Sequence, residues 1–330
     1  MRYFAFGLVF TAFCANAVDS NVYPQSEALI DELVNSHGMD REWVEVLIRD
    51  SVYQEGIIKA ITRPAEKKFP WHRYKKLFVT DSQISHGVKF WNKNRDAIER
   101  AERQFGVDGS IIVAIIGVET RYGKVTGRHR VIDSLVTLTL GYPRRSEFFK
   151  SELVAFLHLT NEENLDALTT KGSYAGAMGI PQFISSSYRH YAVDFNGNGQ
   201  RDLIGETEDA IGSVANYLKK HGWRKNGKIY AEAAADDESV FQDILASKLN
   251  AETTYLEIKQ AGVTLRSDVE PSPDDKFGVM KFEVSPEQFS YRAGYPNFYV
   301  ITKYNRSSLY AMAVTELAQS IAKAKGTGND

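Results

Sequence analysis

The stretch SIIVAIIGVETRYG, Ser110–Gly123, joins an unbroken apolar run, Ile111 to Ile116, to a carboxylate, Glu119, three positions later. No face of the run is polar, so a helix built from it must be enclosed by other elements. Glu119 then sits at the end of a buried rod. It admits two readings. One is a helix-end carboxylate paired with a neighbouring cation. The other is a working acid, because apolar walls disfavour the anion and favour a proton-donating carboxyl group.

Outward from this helix the chain reads as mostly helical. Asp108 stands where an N-cap is expected. On the N-terminal side, Leu29, Ile30, Leu33 and Val34 share a face and Gly38 stops the helix. Asp40 is positioned to cap a second helix with the stripe Trp43, Val44, Leu47 and Ile48. Pro70 interrupts an aromatic and basic stretch, and 92–104 is charged and helical. On the C-terminal side, 133–160 reads as two helices divided by Gly141-Tyr142-Pro143. Residues 172–183, GSYAGAMGIPQF, read as a loop, and Glu208–His221 as a helix closed by Gly222. Four β-branched and aromatic runs, at 227–233, 253–267, 277–284 and 297–305, predict a small strand-rich module, after which 307–325 returns to helix. The expected fold is mainly α (α+β). It has an N-terminal helical domain at 18–107, a core at 108–225, a β module inserted at 226–300, and a C-terminal helix at 301–330 returning to the core.

The chain has 330 residues, 43% hydrophobic and 25% charged, with a net charge of -2. That balance argues against a nucleic-acid partner. Residues 1–17 read as an export signal: Arg2, an apolar run from Tyr3 to Phe13, and the small-residue site Ala15-Asn16-Ala17. The one cysteine, Cys14, follows Phe13 and Thr11 stands at its third preceding position, a poor context for lipid attachment. The expectation is a periplasmic protein cleaved after Ala17 and not anchored at Cys14.

Asp194, Asn196 and Asn198 alternate with Gly197 and Gly199, like the opening of an EF-hand loop, and Gln200 can offer its carbonyl. The twelfth position is Gly205 rather than Glu, so a closing ligand must come from Glu206, Glu208 or Asp209. A plain Asx/Gly turn explains the same residues without a metal. The histidines show no zinc-ligand spacing.

Six separated blocks, IIGVETRYG, YPRR at 142–145, GSYAGAMGIPQF, SSSYRHYAVDFNGNG, DAIGSVANYLKKHGW and FYVITKYNRSSLYAMAV, resemble the membrane-bound lytic murein transglycosylase B family and its soluble relatives. The resemblance implies a lysozyme-like helical core. It implies cleavage of the β-1,4 bond between N-acetylmuramic acid and N-acetylglucosamine in peptidoglycan, with 1,6-anhydro ends and Glu119 as the one catalytic carboxylate. It maps glycan binding onto Ser173, Tyr174, Gln182, Phe183, Tyr217, Tyr304, Asn305 and Tyr310. Arg144 and Arg145 would lie toward a peptide or muramyl carboxylate. A structural Ca2+ would be held by Asp194, Asn196, Asn198, Gln200 and Asp209, with one extra residue in the loop leaving Glu208 as a competing ligand. The implied partners are glycan strands and other cell-wall enzymes, for a monomeric protein. A lysozyme-type hydrolase and an inactive peptidoglycan binder are the alternatives.

Overall fold

The computed structural model describes residues 26–63 and 69–326. The export segment, Cys14 and the last four residues lie outside the described residues. Helices α1 (Ser26–His37), α2 (Arg41–Asp50), α3 (Glu55–Thr62), α4 (Trp71–Phe78), α5 (Asp81–Lys93) and α6 (Arg95–Phe105) come first. The expected signals operate here. Gly38 takes a left-handed φ of 66° after α1, and the Asp40 carboxylate accepts the Trp43 N–H at 2.8 Å to start α2.

Helix α7 (Gly109–Thr120) follows, and it is enclosed as its composition requires. Gly109, every residue from Ile111 to Gly117, and Thr120 are buried. Helices α5, α6, α11 (Thr207–Lys220) and α15 (Ser308–Gly326) pack around it. Its start differs from expectation. Asp108 occupies the cap position, but its side chain makes no cap hydrogen bond. The Glu102 carboxylate of α6 accepts the Gly109 N–H at 2.6 Å instead. A carboxylate from the preceding helix does the same electrostatic work at the helix N-terminus. Burial pushes the Asp108 carboxyl group up.

Strand β1 (His129–Arg130) leads into α8 (Val131–Gly141). A 3-10 turn, Pro143–Arg145, joins this to α9 (Ser146–Glu162), and α8 and α9 pack on one another. Strand β2 (Lys171–Gly172) pairs antiparallel with β1, so the loop at 172–183 starts from a fixed edge. Helix α10 (Ser185–Tyr191) and α11 complete this part.

The β module contains β3 (Tyr230–Ala234), α12 (Phe241–Ile244), β4 (Thr253–Thr254), α13 (Tyr255–Gln260), β5 (Thr264–Arg266), β6 (Lys276–Ser285) and β7 (Gln288–Gly294). Its strands are antiparallel in the order β4-β6-β7-β3-β5. A separate small core, including Phe241, Ile258, Phe277 and Tyr291, holds it. One expected strand run is split by a helix and another is a helix throughout. Within 253–267, Thr254 and Glu257 form a capping box that starts α13. At 297–305 the chain forms α14 (Pro296–Tyr304), with Pro296 in its first turn and Asn297 to Thr302 all buried. A short run that is apolar on every side has no period to separate helix from strand. Here Pro at the helix start and the buried Asn297 decide. The Asn297 amide N–H groups donate to the Arg224 and Gly227 carbonyls, and its oxygen accepts the Arg224 N–H.

Helix α15 runs back through the core beside α7. The β module is tied to it by a part-buried ion pair. The Arg292 guanidinium of β7 donates to Glu316 at 2.9 Å, and Lys75 of α4 reaches the other Glu316 oxygen at 2.6 Å.

Candidate active site

Glu119 lies in the last turn of α7, so the buried body of that helix fixes where its carboxylate emerges. The chain then leaves by two left-handed residues, Arg121 at φ 51° and Tyr122 at φ 63°. Such backbone is costly for residues with a Cβ and persists only where surroundings enforce it. The enforcement is visible. The Tyr122 ring folds back on Gly117, where an added Cβ would fall 2.6 Å from the Tyr122 hydroxyl oxygen. That hydroxyl donates to the Gln83 carbonyl at 2.8 Å, and the Gln83 amide donates to the Gly117 carbonyl at 3.2 Å. The Thr120 hydroxyl donates to the Ile180 carbonyl at 2.8 Å. Sequence reading missed Gln83, which stands in no recognisable pattern, and Thr120, which lies within the block IIGVETRYG but whose partner, the Ile180 carbonyl, is distant in sequence.

Tyr310, in the first turns of α15, donates its hydroxyl to Glu119 Oε1 at 2.6 Å. Tyr304, at the end of α14, lies nearly parallel to Tyr310, with ring centres 6.4 Å apart. Tyr217 of α11 meets Tyr304 edge-on at 4.9 Å, and Phe183 packs against both. Tyr191 and His221 back Tyr217 from the other side. Each phenol is anchored: Tyr304 donates to the Pro181 carbonyl at 2.6 Å and Tyr217 to the Lys303 carbonyl at 2.7 Å. Burial, and next the charge of Glu119, hold Tyr304 and Tyr310 well above the ordinary phenol range. Both therefore stay protonated. A phenol hydroxyl beside a carboxyl group can donate to the anion or accept from the acid, so Tyr310 can follow Glu119 through either protonation state.

The loop at 172–183 supplies the remaining neighbours. The Ser173 hydroxyl accepts the N–H groups of Ala175 and Ala177 at 3.3 and 3.0 Å. Tyr174 projects into solvent, 41% exposed. Gln182, at φ 53°, donates to the Thr126 and Gly179 carbonyls at 2.9 and 3.0 Å. Asn305 is exposed at the end of α14. Arg144 and Arg145 are exposed as well, and Arg145 stacks over Phe148 at 4.1 Å. Among the described residues, no hydrogen bond or ion pair joins either arginine to the Glu119 cluster.

The Asp194 loop is a closed set of Asx turns. Asp194 accepts the N–H groups of Gly197, Asn198 and Gly199. Asn196 accepts from Asn198, and Asn198 from Gln200. Asp209 is fully buried and closes the loop from α11, accepting from Phe195, Asn196 and Asp202. Burial raises its carboxyl group, the three backbone donors lower it, and the Asp194 charge raises it again. Glu208 is engaged elsewhere, by Arg100 at 2.8 Å. Among the described residues no group of three or more His, Cys, Asp or Glu side chains could hold a metal. The loop instead offers two carboxylates, two amide oxygens and a carbonyl. These are hard oxygen donors of the kind Ca2+ takes.

Residues 22–319 match the family model described as the transglycosylase SLT domain. The membrane-bound lytic murein transglycosylase B of Escherichia coli (strain K12) is 38% identical over 311 residues, 92% of this chain and 84% of that one. Soluble lytic transglycosylase SltB1 from Pseudomonas aeruginosa is 43% identical with a TM-score of 0.86, over 92% of this chain and all of that one. The Escherichia coli lytic transglycosylase Slt35, solved in complex with calcium, is 38% identical with a TM-score of 0.84, over 94% of this chain and 96% of its own. SltB3 from Pseudomonas aeruginosa, solved with NAG-NAM-pentapeptide, is 28% identical with a TM-score of 0.79, over 91% of this chain and 79% of its own.

Proposed function

The chain belongs to the transglycosylase SLT domain family, and on that premise we infer that it is a lytic murein transglycosylase. It cleaves the β-1,4 bond between N-acetylmuramic acid and N-acetylglucosamine in peptidoglycan and leaves 1,6-anhydro ends. The observation that carries the mechanism is the 2.6 Å hydrogen bond between Tyr310 and Glu119. It holds one carboxyl group at the end of a buried helix, beside an aromatic cluster that contains no carboxylate of its own. Paired carboxylates are the usual equipment of a glycosidase. With one, the same group must give and take the proton. Glu119 protonates the glycosidic oxygen as the C1–O bond breaks, and the substrate acetamido group stabilises the cationic sugar. The Glu119 carboxylate then removes the proton of the C6 hydroxyl, whose oxygen bonds to C1. The acid is regenerated and no water is consumed.

The glycan is held, in this reading, by Ser173, Tyr174, Gln182, Phe183, Tyr217, Tyr304, Asn305 and Tyr310. Tyr174 offers an exposed face for stacking. Arg144 and Arg145 serve a carboxylate further along the strand. A structural Ca2+ is bound by Asp194, Asn196, Asn198, the Gln200 carbonyl and Asp209, a set supported by its donor chemistry and by Glu208 being occupied with Arg100. The protein acts as a monomer on glycan strands in the periplasm, with other cell-wall enzymes as partners, after cleavage behind Ala17 without lipid at Cys14. The intact mass of the exported protein checks that cleavage. Among the described residues no helix is long and apolar enough to cross a membrane. The division at 107 and 225 belongs to the same proposal; the boundary expected at 300 falls inside α14, whose Phe298–Ile301 pack in the main core, so the β module ends before Pro296.

The deciding experiment is a digest of murein in oxygen-18 water. Muramyl ends free of label are expected. Label at those ends would make the enzyme a hydrolase, and no released fragments at all would make it a binder. Glu119→Gln keeps the size of the side chain but cannot cycle a proton. It is expected to bind glycan and cleave almost none.

A further inference from the structure

A cleft of about 650 Å3 opens between the β module and the end of α14. Ser247, Lys248 and Asn250, from the segment between α12 and β4, form one wall. Thr302, Lys303 and Arg306 form the other. Three of these side chains are cationic, and no acidic residue lines the cleft. Among the described residues, none of the three forms an ion pair. On a chain of net charge -2 this is a local excess. Elsewhere on the same module the exposed Lys259 and Arg266 are matched by Glu270 and Glu232.

The cleft adjoins the glycan site through a single turn of chain. The Lys303 carbonyl accepts the Tyr217 hydroxyl, and the next residue, Tyr304, is stacked within the aromatic cluster. Asn305 separates that cluster from Arg306. A ligand held by Tyr304 and Asn305 is thus flanked on both sides in sequence by cations that face another cavity.

We propose that this cleft seats the peptide arm of the substrate, with Lys248, Lys303 and Arg306 reading its free carboxylates. The proposal rests on the lytic transglycosylase reading. In peptidoglycan the muramyl lactate is joined to a short peptide, and the anionic groups of that peptide are carboxylates. Three cations lining one cleft without an ion-pair partner match such a ligand, whereas the sugar rings themselves carry no charge and need none of them. Ammonium and guanidinium groups near a surface act mostly through charge, so the preference weakens with salt.

The test is calorimetric and uses Glu119→Gln protein, so that ligand survives. Three soluble glycan ligands are compared: peptide-free, pentapeptide-bearing, and pentapeptide-bearing with its carboxylates amidated. The free-carboxylate form is expected to bind about fivefold more tightly than its amidated counterpart at low salt, as two or three exposed ion pairs allow. Lys248→Ser combined with Arg306→Ser, with Arg144 and Arg145 left in place, should cut that difference by at least half and leave peptide-free glycan bound as before. Both side chains are exposed, and an unchanged melting temperature verifies the fold. A preference undiminished by both substitutions, or no preference at the outset, overturns the peptide cleft. Peptide-free affinity reports on the glycan site separately, so failure of the wider reading is seen apart from failure of this one.

Discussion

Tyr310 is the residue on which the site's electrostatics turn. It is buried, it stays protonated, and it holds Glu119 through a hydrogen bond to one oxygen. Tyr310→Phe keeps the ring stacked against Tyr304 and deletes only the hydroxyl. Hydrogen bonds to charged groups contribute about 1.5–3 kcal/mol. If that interaction strengthens as the anion forms, kcat should fall roughly ten- to hundredfold. Steady-state rates on murein, with binding measured separately, check it; loss of binding with unchanged kcat would reduce Tyr310 to a wall of the site. The place of Glu119 at the end of an enclosed helix is legible in the sequence; its role is not, because a paired helix-end carboxylate fits the same spacing and only the resemblance implies the acid. The matching blocks also carried Tyr310 and Tyr304. Gln83 and Thr120 were not legible, because their roles arise from close approach of segments far apart in the chain.

At the scale of elements, the loop after α7 and the loop at 172–183 brace one another. Gly127, at φ 106°, lies so close to Gly172 that an added Cβ would fall 2.1 Å from its backbone carbonyl. Gln182 bonds to the adjacent Thr126 carbonyl. Gly127→Ala meets backbone rather than a movable side chain, and the φ itself is unfavourable for alanine. A cost of about 2–4 kcal/mol is expected, with activity reduced through displaced Ser173 and Gln182. Urea melts and rates on murein check both, and an unaltered melt would contradict the brace. The Asp194 loop is the second element to test. Calcium should raise the melting temperature, by ~2.7 kcal/mol of stability at a hundredfold excess over its dissociation constant. Two carboxylates and neutral oxygens imply modest affinity. A melt indifferent to chelator and to added calcium would remove the metal from the account. Helices α1, α2 and α7 could be read from caps and periodicity. Helix α14 could not: its β-branched and aromatic residues suit a strand, and what decides for a helix is Pro296 at its start together with the burial and bonding of Asn297. Short helices hidden between strands, such as α13, are below the length at which periodicity speaks.

Across the whole molecule, aromatic burial sets the alkaline limit. Burial holds Tyr122, Tyr188, Tyr217, Tyr299, Tyr304 and Tyr310 above their ordinary value near 10. The folded state then keeps protons that the unfolded state releases. Their stabilisation is complete below pH 10 and is lost as pH climbs through the raised folded values. Phenolate absorbance should therefore rise in two stages, exposed tyrosines first and these six together with unfolding. A single smooth titration near 10 with the fold intact would contradict it. The contact between Tyr310 and Glu119 has a further consequence. It joins residues 191 positions apart, and its second partner stands on α15, the last helix among the described residues. During synthesis the acid of α7 is made first, and the phenol that holds it follows 191 residues later. A murein-cleaving enzyme is thus unarmed while it is being made: until α15 docks beside α7, the pair is incomplete.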